Sequence, residues 1–437
     1  MPLGTGEFEE AWPRIVRALA SFTGSLDAAE EYAAEAVARA AAHERDGHRP
    51  IESYAAWCTS VARRAWLDDV RRRAVERRLA PQLAHPEAVH PPEPVTDRAA
   101  MDAQELSREG LDDRLSLLFV ACDEALSPAS RMVLALRVVC GLTVPEIAGH
   151  LGIQETAAAA RLTRAKRALA EARGTFHVPD APERVRRLPV VIACVAGMFT
   201  VAHRTVLEPA DGVADTGRQA LSIADALVAT HPDDTEVRGL RAVIRLGLAR
   251  RPGRVDADGT GLALDEVDRR RWDVGLLRGG LADATVAASG DGRFAIEAAI
   301  AGLHSSAPSF ERTDWDAVVG LYAGLEQRWP SPSVRVARLV ATAHAWLTRD
   351  PNDRDPAVLA ELERELTRLE TSAPAYASRD ASLALADLEW RTGRRQVAAE
   401  RYRDLAEVMP AEPLRRFCLR RASVAAAGGD DRRAERE

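Results

Sequence analysis

Lysine is almost absent from this 437-residue sequence: Lys166 stands alone against 58 arginines, a bias that reflects genome base composition more than function. Cysteine is scarce too. Cys58, Cys122, Cys140, Cys194 and Cys418 are odd in number, widely spaced and without a C-x-x-C pair. That excludes a recognisable zinc motif and a disulfide framework, and it predicts buried thiols in a cytoplasmic chain with no metal site. No apolar run approaches the roughly 18 residues that span a bilayer, so no membrane partner is expected. The opening Met1-Pro2-Leu3-Gly4, followed by acids, is not expected to be a signal peptide. Walker loops, dinucleotide-binding glycine fingerprints, nucleophile elbows and His-Glu-x-x-His are all missing, so no cofactor is expected and conventional enzyme chemistry has no signature. The net charge of −7 is mildly acidic, and any nucleic-acid surface must therefore be local.

What remains is helical. Alanine, leucine, arginine and glutamate abound, and β-branched alternation is scarce, which predicts an all-α protein. One short β-hairpin is expected near 254–265, where Asp258-Gly259 offers a turn. Pro81, Pro86, Pro91, Pro92 and Pro94 mark residues 81–105 as an extended linker between parts 1–80 and 106–173. A second break near Gly174–Pro182 precedes the largest part, 183–437. Within it, residues 377–410 read as a helix pair of tetratricopeptide-like form, with the turn at Thr392-Gly393-Arg394.

Residues 127–170 carry the most specific signal. Ser127-Pro128 is an N-cap followed by proline at the first helical position, and Gly141 closes that helix. Thr143 and Glu146 form a capping box, and the helix they open ends at Gly152. A short turn then leads into Glu155–Ala170, which makes a helix-turn-helix. Ala158, Leu162, Ala165 and Leu169 fall on one face of the second helix as its buried stripe. Over residues 154–173 Arg161, Arg164, Lys166, Arg167 and Arg173 outnumber Glu155 and Glu171, the footprint of a helix that enters a major groove. A second basic stripe lies on residues 53–78, where seven arginines face Asp68, Asp69 and Glu76 over 61–80. Trp57 reads as core; Trp66 fits either core or a surface for unstacked bases.

Together these segments resemble a bacterial RNA polymerase sigma factor of the small extracytoplasmic-function type. The residues that carry the resemblance are the acidic helix Asp27-Ala-Ala-Glu30-Glu31-Tyr-Ala-Ala-Glu35, the helix through Ala56-Trp57 and Val61-Ala-Arg-Arg64, the linker and the helix-turn-helix. The string Asp112-Asp-Arg114-Leu-Ser-Leu-Leu-Phe119 is similar to the subgroup with a large C-terminal tetratricopeptide-like extension, as are Arg254-Val-Asp-Ala-Asp258-Gly and Asp268-Arg-Arg-Arg-Trp272. The resemblance implies a transcription initiation factor whose partners are core RNA polymerase and promoter DNA. It assigns Asp27, Glu30, Glu31 and Glu35 to polymerase binding. It assigns Arg63, Arg64, Arg71 and Arg72 to the −10 element, and Arg161, Arg164, Lys166 and Arg167 to the −35 element.

The sequence departs from that family at contact positions. Ala34 replaces a usual glutamine, and Ala157, Ala159 and Ala160 stand where the family tends to carry Thr, Lys or Gln. Alanine reaches a thymine methyl but makes no hydrogen bond to a base edge. The alternative reading is therefore a repurposed sigma-like scaffold with a ligand-binding or catalytic pocket in the C-terminal part. Its expected residues are His203, Arg204, Trp272, His304, Asp314 and Trp315, suited to cation binding or general acid–base work.

Overall fold

The structure, a computed structural model, describes residues 5–46, 50–79, 111–205 and 215–434. Its regular elements are all helical, as expected. The expected hairpin is reduced to one antiparallel bridge between Val255 and Gly261. The expected linker, residues 81–105, lies outside the described residues. Two compact units divide the chain: one holds residues up to 202 together with the helix Thr216–Thr230, and the other runs from residue 231 onward.

In the first unit, α1 (Thr5–Thr23) turns Trp12, Ile15, Val16, Leu19 and Ala20 to one buried face, the spacing of an amphipathic helix. α2 (Leu26–Arg45) answers with Ala29, Ala33, Ala36 and Ala40, small residues that let the two backbones approach closely. α3 (Tyr54–Leu79) completes a three-helix group, with Cys58 and Ala62 buried. α4 (Asp113–Ala121) is buried all round from Leu115 to Ala121, as a helix apolar on every face must be. Around it pack α5 (Pro128–Val138), α6 (Val144–Leu151) and α7 (Glu155–Arg173), and then the long α8 (Ala181–Thr205). Serine, threonine and glycine act as the sequence predicts: Ser127 caps α5, the Thr143–Glu146 box caps α6, and Gly152 ends α6 in the left-handed region. Gly141 has φ +72°, and a Cβ there would lie 2.8 Å from the Phe8 ring. Only glycine makes this turn and also lets α1 sit on it.

α8 is fastened by a buried charge pair. Asp123 accepts from Arg187 (2.7 Å) and Arg173 (2.8 Å), and Arg187 also donates to the Phe119 carbonyl. α9 (Thr216–Thr230) lies against α4 in the same unit, where Arg114 donates to Ser222.

The second unit begins with α10 (Thr235–Arg250), which packs on α11 (Val274–Ala287) and α12 (Arg293–Ser306). Here the buried Asp283 receives Arg238, Arg241 and Arg245 at 2.7–3.0 Å. Then come α13 (Trp315–Arg328), α14 (Pro332–Thr348), α15 (Pro356–Ser372), α16 (Ala375–Arg391), α17 (Arg395–Val408) and α18 (Glu412–Ala434), each packed on its successor. The helix pair expected at 377–410 is α16 and α17, joined through Gly393 at φ +84°. The segment 251–273, between α10 and α11, crosses to the last helix. Gly261 N–H donates to the Pro413 carbonyl at 2.8 Å, Asp265 pairs with Arg391 at 3.1 Å, and Glu266 pairs with Arg420 and Arg421. All five cysteines are buried with free thiols. Among the described residues no helix is long and apolar enough to cross a membrane.

Asp123 gives the first unit a pH dependence. Burial alone would raise its pKa, but the Ala125 N–H, Arg173 and Arg187 together hold it below the usual carboxylate range. A depressed folded-state pKa adds stability above the unfolded value of about 3.9 and loses it as pH falls through the folded value. Asp123→Asn is expected to lower the free energy of urea unfolding at pH 7 by about 2 kcal/mol or more. It should also flatten the acid limb of the stability profile. An unchanged acid limb contradicts the assignment.

Candidate functional site

The helix-turn-helix presents its charge as a direct result of its buried stripe. Ala158, Leu162, Ala165 and Leu169 are the buried residues of α7, the four predicted from spacing. With that face inward, Arg164 and Arg167 stand exposed and Arg161 is half-buried. Arg164 donates to the Ala160 carbonyl at 3.1 Å, and Arg167 pairs with Glu171 at 2.6 Å. Ala159 and Ala160 are exposed on the same outward side, and Ala157 is half-buried. Arg161 and Arg164 also line a shallow groove with Ser127 and Ser130 at the start of α5. The surface therefore offers forked cations and helix-start donors, which suit phosphate, with little to read a base edge.

Lys166 departs from its expected place among the DNA contacts. Its ammonium turns toward α2, 2.8 Å from Asp27 and 2.7 Å from Glu30, and its side chain is only 16% exposed. Glu30 also accepts from Arg137 of α5, and Arg137 in turn donates to the Leu142 carbonyl and lies over the Trp12 ring. The acidic helix and the helix-turn-helix are thus joined by a four-residue ionic knot. Two of the expected polymerase contacts, Asp27 and Glu30, are engaged in it. The other two, Glu31 and Glu35, are exposed; Glu35 pairs with Arg39 one turn on at 2.6 Å.

On α3, Arg63 is exposed over the Phe22 ring, and Arg64 is exposed. Arg71 pairs with Asp68 at 3.4 Å, while Arg72 and Arg73 reach Asp69. Asp69 is buried, receives the Tyr32 hydroxyl at 2.8 Å, and has its pKa lowered by that bond and the two arginines. The half-buried Trp66 meets Phe22 edge-on at 5.1 Å, and Trp57, also half-buried, meets His43 at 5.6 Å.

Of the six pocket residues expected in the C-terminal part, the structure gathers three. His304 lies edge-on to Trp315 at 5.1 Å, and Arg269 links it to Trp272 by lying over the indole and donating to the His304 carbonyl. Asp314 does not join them: it caps α13, accepting from the Ala317 N–H. The side chains of His203 and Arg204 lie outside the described residues. Burial pushes His304 down to about 4, with Arg250, His344 and Arg269 adding to the effect. It is therefore a neutral ring at pH 7 and not a cation.

Four residues that bear on these sites escaped the sequence reading. Arg137 reads as an ordinary helix arginine; only the close approach of α2 reveals its partner. Arg250 and Arg269 lie beside His304, with Arg254 next to Arg250, and their one sequence signal is the arginine density of 250–254 and 269–271.

This is a sigma-factor-like protein. The family model Sigma-70, region 4, matches residues 117–169, which span α4 to α7. A family of unknown function (DUF6596) matches residues 187–288. The chain is 29% identical over 174 residues to a probable ECF RNA polymerase sigma factor SigI of Mycobacterium tuberculosis, covering 40% of this chain and 57% of that protein. It is 35% identical over 337 residues to the uncharacterized protein R00370 of Rhizobium meliloti, covering 76% of this chain and 78% of that protein. The chain belongs to the same family as R00370. No solved structure matches it significantly.

The ionic knot predicts a graded set of stabilities. Glu30→Ala leaves Arg137 and Lys166 without their buried carboxylate and should cost about 3 kcal/mol in urea unfolding. A double-mutant cycle with Arg137→Ala should give a coupling of roughly 1–3 kcal/mol, whereas the exposed Arg71–Asp68 pair should give under about 0.5. Equal couplings for the two pairs would contradict the knot.

Proposed function

We propose that this protein is a transcription initiation factor that binds core RNA polymerase and promoter DNA. It would belong to the sigma subgroup with a tetratricopeptide-like C-terminal extension. The observation that carries the reading is α7: its apolar stripe faces inward within a matched region 4, leaving Arg161, Arg164 and Arg167 to the outside. In this reading α7 follows the −35 element mostly through phosphates, because Ala157, Ala159 and Ala160 offer methyl groups alone. Arg63, Arg64, Arg71 and Arg72 serve the −10 element. Glu31 and Glu35 meet polymerase first, and Asp27 and Glu30 follow once Lys166 and Arg137 release them. The linker 81–105 and separate domains over 1–80 and 106–173 would allow that release.

A second reading, a sigma-like scaffold turned to ligand binding, is favoured by one observation: the alanines at outward positions of α7 coexist with a buried cationic cluster in the other unit.

Run-off transcription with core polymerase on genomic fragments tests the first reading, and specific transcripts are expected. In the same system Arg164→Ala with Arg167→Ala should weaken promoter binding. It should also reduce the slope of log K against log salt by roughly 1.8, about 0.9 for each lost phosphate contact. An absence of transcripts, or an unchanged salt slope, would overturn this reading.

A further inference from the structure

The first unit holds a cleft of about 580 Å³, partly open to solvent, between the start of α2 and the end of α7. That size lies within the roughly 300–1,000 Å³ of small-molecule pockets. Its apolar lining comes from four segments: Leu26 of α2, Val120 of α4, Leu169 of α7, and Phe176 and Pro179 of the chain that follows α7. Gly174 ends α7 at φ +73°, and the Phe176 N–H donates to the Gly24 carbonyl at 2.8 Å. The chain after α7 is thereby fastened to the turn between α1 and α2 and walls the cleft. A Cβ on Gly174 would meet nothing within 4 Å, and one on Gly24 would meet only Thr175, so the walls do not close on each other.

The charged lining has a fixed side and an exchangeable one. On the fixed side Arg173 and Arg187 both reach the buried Asp123 and both reach Glu183, so two cations and two carboxylates balance. On the other side Lys166 has two partners of different kind. Glu30 is buried, whereas the Asp27 side chain is 74% exposed. An exposed ion pair contributes little, because water solvates its carboxylate almost as well as the ammonium does. Asp27 is therefore the partner that another carboxylate can displace, while Glu30 keeps the ammonium in place. Lys166 lines the same cleft as Leu26, Leu169 and Phe176, so a displaceable ion partner and apolar walls serve one space.

We propose that this cleft binds a small apolar monocarboxylate, an acyl or aryl acid. Its carboxylate takes the place of Asp27 on Lys166, and its hydrocarbon covers Leu26, Val120, Leu169 and Phe176. Only ion partners are exchanged; no covalent bond is made or broken. The exchange frees Asp27 from the ionic knot, and the value of that release rests on the polymerase reading. Binding itself is measured without polymerase or DNA, so its failure and the failure of the polymerase reading are separate results.

The test is isothermal titration of the full chain with octanoate below its micelle concentration, with hexanoate and octanol for comparison. Octanoate should bind saturably. Hexanoate should bind about tenfold more weakly, because it buries fewer methylenes. Octanol, which cannot replace a carboxylate on Lys166, should bind weaker than octanoate by about tenfold or more. Ala170 is exposed and lines the cleft, so Ala170→Trp should fill it and abolish octanoate binding with the helical circular dichroism retained. Asp27→Asn removes the competing carboxylate and should tighten octanoate binding by up to about fivefold. No saturable binding, octanol binding as tightly as octanoate, or wild-type affinity in both variants would overturn the proposal.

Discussion

The arrangement of the first unit depends on the meeting of Glu30 with Arg137 and Lys166. A carboxylate 6% exposed is tolerable only because two cations from two different helices reach it. Those cations come from α5 and α7, so the knot fixes the acidic helix to the helix-turn-helix. Trp12 adds to it, donating its indole N–H to the Arg137 carbonyl at 3.1 Å beneath the same guanidinium. Gly141 then leaves room for Phe8 and Trp12. Breaking a buried pair is far costlier than breaking an exposed one, and this gives the closed arrangement a defined energetic lock. In the sigma reading the chain's only lysine is part of that lock.

The same chemistry recurs in both units. Asp123 and Asp283 are buried carboxylates, each surrounded by arginines, and in both cases charge meets charge. Around Arg250 and Arg269 the guanidinium groups donate to the backbone carbonyls of Leu246, His304 and Ala307. The segment 251–273 makes this possible. It ties α10 to α18 through Gly261 and Glu266 while carrying Arg254, Arg269 and Trp272 inward.

Local features of the fold were legible in the sequence because local rules decide them. The caps at Ser127 and Thr143, the glycine stops at Gly141 and Gly152, and the buried stripe of α7 all follow from spacing and side-chain chemistry within one or two turns. The pair α16–α17 followed for the same reason. The hairpin expectation fell short only in length: Asp258-Gly259 makes the turn and its flanks pair through Asp256 N–H to Thr260 and Leu262 N–H to Arg254, but the Gly261 N–H goes to the Pro413 carbonyl and the ladder stops at one bridge. The fate of Lys166 was hidden: a cation on an amphipathic helix looks the same whether its partner is a phosphate or a carboxylate 139 residues away. Trp272, His304 and Trp315 were named one by one, yet the arginines that join them come from separate segments. Contacts between distant segments leave no periodic trace.

In the proposed reading the first unit binds polymerase through an acidic helix that the helix-turn-helix holds until a partner takes it. Co-elution of the full chain with core RNA polymerase, at low and at moderate salt, tests that claim most directly. The account predicts a complex that survives moderate salt, strengthened by Lys166→Ala because the lock on Asp27 and Glu30 is weakened. No complex at low salt, with the helical circular dichroism intact, would contradict it.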